Sequence, residues 1–153
     1  MLTKVNSRKL LAAVGEFVIV ASKYNSRYVD AMVRSATATL KAAKAKHIRV
    51  VRVPGAYEIP IVAAKLARTK QPLAIICLGV ILRGQTTHAA HIGDAVSRAL
   101  MEIQLQYEVP VVHEVLLLEN EEQAKVRCLG KDHSRGTEAA QTALAMAKVM
   151  AGI

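Results

Sequence analysis

Four short apolar, β-branched runs recur along the chain, each followed by residues at helical spacing, and this alternation limits the fold more than any other feature. The runs are Phe17–Ala21, Ile48–Val53, Ala74–Leu82 and Val109–Leu117. None alternates cleanly between apolar and polar, so each is expected to be buried on both faces, as strands of a parallel sheet are. Helices are expected over Ser26–Lys46, Tyr57–Ala67 and His88–Tyr107, where Ile92, Ala95, Val96, Ala99 and Ile103 fall at i, i+3, i+4 spacing. Two more follow the last strand, Asn120–Cys128 and Arg135–Ala151, hinged at Gly130. Strand–helix alternation at this spacing implies right-handed crossovers and helices on both faces. The reading is one doubly wound α/β domain over 16–153. Residues 1–15 carry no clear element and read as an arm.

Composition narrows the class. Hydrophobic residues are 52% of the chain, which excludes a disordered polymer. With one Phe, four Tyr and no Trp, the core must be Ala, Val, Ile and Leu, so any aromatic in a loop stands out. The formal charge of +9 is scattered. Lys41, Lys44, Lys46 and His47 are expected to close one helix, and a second group of cations lies near the end. Without aromatics interleaved among the cations, a nucleic-acid partner is not expected. The first residues make a poor signal peptide and no stretch is long enough to span a bilayer, so a cytoplasmic protein with no membrane partner is expected. Cys77 and Cys128 lack metal-ligand spacing, and Cys77 reads as core filler; no metal or cofactor is expected.

In a sheet of this kind, ligands bind beyond the carboxyl ends of the strands. The loops there are Ser22–Asn25, Pro54–Glu58, Arg83–His88 and Leu118–Asn120. In the second, Ala56, Tyr57 and Glu58 open a helix whose free N–H groups face the site. Taken alone, Glu58 reads better as a helix N-terminal acid than as a ligand group. In the third, Gly84, Gln85 and Thr86 make a credible phosphate cradle ahead of a helix, without the P-loop pattern. Thr87 reads equally as an N-cap. His88 has the chemistry of a general acid or base, although a lone histidine at a helix start is more often a surface residue.

The segments VPGAYEIP (53–60) and GVILRGQTTH (79–88), at this separation, resemble the lumazine synthase family. FVIVASKYN at the start is similar to that family's opening, and Glu121 through Arg127, Lys131, Arg135-Gly136 and Glu138–Ala140 to its ending. The likeness covers about residues 16 to 150. It implies a flavodoxin-like four-stranded parallel sheet of order 2-1-3-4. It implies a transferase that condenses 5-amino-6-(D-ribitylamino)uracil with 3,4-dihydroxy-2-butanone 4-phosphate to 6,7-dimethyl-8-ribityllumazine, the penultimate step of riboflavin biosynthesis. Carried onto this chain, Tyr24 would stack on the pyrimidine. Ala56, Tyr57 and Glu58 would hold the ribityl chain, and the backbone of Val80, Ile81 and Leu82 would read the uracil edge. Gln85, Thr86 and a neighbouring subunit's Arg127 would hold the phosphate, and His88 would transfer protons. The family builds such sites between subunits of a homopentamer, in some members arranged as a sixty-subunit icosahedral capsid with riboflavin synthase as possible cargo.

Three positions depart from the family pattern. Ala89 stands where an aromatic is usual, His113-Glu114 where Phe-Gly is usual, and Tyr24 where Phe or Trp is commoner. His113 can still stack on the aminouracil, and Glu114 is expected to point away or to pair with a Lys. A non-catalytic lumazine- or flavin-binding relative would lack His88 or Arg127, and both are present. A response-regulator-like domain needs an acidic cluster after the first strand, where this chain has Lys23-Tyr24-Asn25.

Overall fold

The computed structural model describes residues 14–131 and 134–153. The expected arm over 1–15 therefore lies outside the described residues, apart from Val14 and Gly15. Four strands, β1 (Glu16–Ser22), β2 (His47–Val53), β3 (Ala74–Leu82) and β4 (Val111–Leu118), form one parallel sheet of order β2-β1-β3-β4. This is the doubly wound arrangement expected from the alternation.

Each face of the sheet is sealed by a pair of helices. Helices α1 (Ser26–Ala42) and α5 (Arg135–Ala151) cover the face carrying Phe17, Ile19 and Leu78. Helices α2 (Ile59–Lys70) and α3 (His88–Tyr107) cover the face carrying Val18, Val20, Ile75 and Cys77. The first seven residues of the central strand β3 are fully covered, which is why its sequence shows no alternation. β2 is an edge strand and only Val53 in it is buried. Its two arginines are accommodated there: Arg49 pairs with Glu16 at 3.0 Å and Arg52 with Asp30 at 2.6 Å.

The element boundaries differ from expectation for local reasons. Helix α1 stops at Ala42, so Lys44, Lys46 and His47 do not belong to it. The Ala45 N–H reaches Leu40 O and the Lys44 N–H reaches Lys41 O, with Lys44 left-handed at φ 64°. That is a Schellman ending built without the usual glycine, so the sequence carried no stop signal. β4 begins at Val111 rather than Val109. Pro110 has no N–H to give the ladder, and the Val111 N–H is taken by the Gln104 side chain at 2.9 Å. The stretch before α2 is a separate 3-10 turn, Ala56–Glu58. The expected helix over Asn120–Cys128 is a four-residue α4 (Glu121–Ala124) followed by a π-helical turn, Lys125–Leu129. Asn120 caps it by accepting from the Gln123 N–H.

Candidate active site

The loops after β1 and β2, the carboxyl end of β3 and the first turns of α3 meet around a cavity of about 830 Å³. Ser22, the last residue of β1, leads into Lys23-Tyr24-Asn25. The Lys23 N–H bonds to Val53 O at 2.8 Å and the Tyr24 N–H to Pro54 O at 3.1 Å, fixing this loop on the end of β2. Asn25 turns the chain into α1 in a left-handed conformation, φ 56°, and its amide donates to Val80 O at 2.7 Å. The first loop is thereby tied to the end of β3 as well.

Of the few aromatics, Phe17 and Tyr28 are core residues, whereas Tyr24 and Tyr57 line the cavity at 66% and 65% exposure. An apolar ring left open at a cavity costs hydration free energy that a stacked ligand recovers. Gly55 permits the arrangement. A Cβ there would lie 2.8 Å from the Tyr24 ring and 3.0 Å from the Glu58 carboxylate. Glu58 accepts from the Gly55 N–H at 2.9 Å, half of a capping box, so the helix-start reading of this residue holds. It also lines the cavity, with its other oxygen free to accept from a ligand.

Ala56, Val80, Ile81, Leu82 and His88 complete the wall expected from the sequence. His88 is exposed at the start of α3. Gln85 and Thr86 lie just before it in an exposed loop and do not line the cavity; Thr86 Oγ1 accepts from the His88 N–H at 3.3 Å. Five lining residues had not been singled out as site residues: Asn25, Gly55, His91, Ile92 and Ala95. Ile92 and Ala95 were read only as apolar positions of the helix, and the one signal for His91 was its spacing of three from His88. Among the described residues, no three His, Cys, Asp or Glu side chains gather as metal ligands.

Besides Gln85 and Thr86, two further expected residues are not at this cavity. Arg127 sits on the π-helical turn beyond β4. His113 lies on the α3 side of β4. Its Nδ1 accepts from the Val115 N–H at 3.1 Å, which leaves Nε2 to donate to Ser97 Oγ at 2.8 Å. Burial lowers the His113 pKa, and an N–H donated to Nδ1 acts in the same sense by favouring the neutral ring.

Glu114, beside it, points to the opposite face. Its cation is an arginine, not the expected lysine: Arg135 Nη1 lies 3.9 Å away and also pairs with Glu138 at 3.3 Å. Burial pushes the Glu114 carboxyl up to about 7, with Arg135 opposing the shift and Glu138 adding to it. The folded chain then holds a proton that the unfolded chain releases from about pH 4.5 upward. Glu114 consequently costs stability as pH rises from about 4.5 to 7, on the order of 2–3 kcal/mol once fully ionised. We expect Glu114→Gln to raise the melting temperature at pH 8 and to leave it nearly unchanged at pH 4.5. A variant destabilised at both values would mean that the Arg135 contact outweighs the burial.

A family model described as 6,7-dimethyl-8-ribityllumazine synthase matches residues 15–151. The chain belongs to the 6,7-dimethyl-8-ribityllumazine synthase family. Curated relatives of that name include one from Xylella fastidiosa (strain 9a5c), 42% identical over 92% of this chain and 93% of its own. Another, from Xanthomonas campestris pv. campestris (strain B100), is 41% identical over the same shares. A third, from Stenotrophomonas maltophilia (strain R551-3), is 40% identical over 88% of each chain. In this family member the cavity walls come from two loops, the end of β3 and the start of α3, all of one chain, while His113 and Arg127 are not among them.

Proposed function

We propose that this chain condenses 5-amino-6-(D-ribitylamino)uracil with 3,4-dihydroxy-2-butanone 4-phosphate to give 6,7-dimethyl-8-ribityllumazine. The observation that carries the reading is convergence: Tyr24, Ala56–Glu58, Val80–Leu82 and His88, expected from separate segments, line one cavity. Tyr24 offers a face to the pyrimidine, and the backbone of Val80 to Leu82 offers donors and acceptors to the uracil edge. Glu58 accepts from ribityl hydroxyls.

The amine adds to the ketone and water leaves to form an imine. Phosphate is then eliminated, and the second amine closes the ring with loss of another water. No covalent enzyme intermediate is needed. The largest contribution comes from holding two reactants in one geometry. His88 moves protons, and imidazole suits this task because it exchanges them near neutral pH. Gln85, Thr86 and Arg127 bind the phosphate, Arg127 through a planar fork matched to phosphate oxygens.

Since Arg127 and His113 lie away from their own chain's cavity, a complete site draws them from a second copy. A head-to-tail ring provides this at every site. Outward-facing Ile61 on α2 and Met101 and Leu105 on α3 supply apolar surface for such contacts. A ring of five, alone or in a sixty-subunit shell in the cytoplasm, is the assembly that fits the family.

The direct test is to mix the protein with both substrates and follow the absorbance of the lumazine product. Its absence with correctly folded protein would refute the reading. For Arg127→Ala we expect the keto-phosphate to bind about 10- to 150-fold more weakly, the loss of roughly 1.5–3 kcal/mol from one charge-assisted contact. Aminouracil affinity should hold. Equal loss for both substrates would remove Arg127 from the phosphate site.

A further inference from the structure

The cavity is lined by two imidazoles, and the reaction has so far used only one. His91 stands three residues after His88 on α3, so the two share a helix face with Cβ atoms about 5–6 Å apart. Its Nε2 lies 3.3 Å from Thr87 Oγ1, and Nδ1 has no protein partner among the described residues. A ring held at one nitrogen and open at the other suits proton exchange with a ligand. Nothing in the packing requires a histidine here, because the side chain is exposed and the core positions of this helix are Val96, Leu100 and Ile103.

We propose that His91 is a second proton-transfer residue of this site, acting with His88 as an acid–base pair. This rests on the condensation reading above. Imine formation needs a proton removed from the amine and another delivered to the departing hydroxyl, at different atoms. One imidazole cannot hold both protonation states at once, whereas two side by side can hold one each. When the first gives its proton to the leaving water and the second takes one from nitrogen, their roles reverse for ring closure and no net proton is consumed. Other ionisable groups facing His91 are Tyr24 from the β1–α1 loop, Tyr57 and Glu58 from the 3-10 turn, and Asp94 one turn further along α3.

The decisive variant is His91→Gln, which keeps a hydrogen-bonding group for Thr87 but cannot titrate. We expect turnover at saturating substrates to fall about 10-fold at neutral pH, below the usual range for acid–base residues because proximity dominates. KM values should stay within about twofold, and dialysis should show the lumazine product bound as in the parent. The pH profile of kcat should lose one ionisation. The substrate phosphate also ionises near pH 6, but it contributes equally to parent and variant. Parental turnover and an unchanged profile in His91→Gln would overturn the proposal, as would weakened product binding matching the loss of rate. A parent protein that binds the product but forms none would instead overturn the condensation reading.

Discussion

Mixed assemblies of His88→Ala and Arg127→Ala chains should recover about a quarter of the parental activity. The prediction follows from where the two side chains lie: His88 lines the cavity of its own chain, and Arg127 is on the π-helical turn away from it. In a head-to-tail ring, each site takes His88 from one subunit and Arg127 from the next. A site is intact only when an Arg127→Ala chain supplies the histidine and a His88→Ala chain supplies the arginine, which random equal mixing gives about one time in four. Assayed at limiting keto-phosphate, each parent variant should retain about 10 per cent or less, given roughly 10-fold or more lost from either contribution. The measurement is a rate before and after joint unfolding and reassembly. If the mixture stays as inactive as its components, both residues serve one chain's site and the shared-site arrangement is wrong.

Gly136→Ala should lower the melting temperature by roughly 5–10 °C, equivalent to about 2–3 kcal/mol in a chain of this size. Helix propensity alone predicts the opposite, since alanine inside a helix is favoured over glycine by up to about 1 kcal/mol. Packing reverses the sign. A Cβ at 136 would lie 2.2 Å from Met32 O and under 3 Å from Met32 Cα and C. These are backbone atoms of α1, so relief requires one helix to move against the other. The alanine-rich inner stripe of α5, Ala139, Ala140, Ala143 and Ala147, is fitted to that close approach and would lose contact along its length. Calorimetry decides between the two effects, and a raised melting temperature would mean that α1 and α5 separate freely.

Chain order and local pattern carried the fold. Runs such as AIICLGV could be satisfied only by burial on both faces, and that requirement admits little besides a parallel sheet between helix layers. The loops at the carboxyl ends of the strands, carrying Gly, Pro, Asn, Thr and His, marked the ligand end of that sheet. Boundaries were legible only where a residue enforces them chemically. Lys44 after α1, Gln71 after α2 and Glu108 after α3 all have left-handed backbone without being glycine, so none carries the usual sequence signal of a helix end. The ends of α1 and α2 were misplaced by local reading for this reason, whereas α3 ends at Tyr107 as expected.

Within the site, sequence determined which residues could do chemistry: His88, Glu58, Tyr24 and Arg127 are each the right functional group in a plausible loop. Tertiary structure decided which of them meet. Tyr24, Glu58 and His88 converge because Asn25 and the β1–β2 loop contacts draw three strand ends together, whereas Arg127 and His113 are carried away by β4 and the turn beyond it. His91 shows the same division. Its apolar neighbours at helical spacing read as core, and only packing reveals that this end of α3 extends past the sheet, so that its inner face meets a cavity instead of a strand.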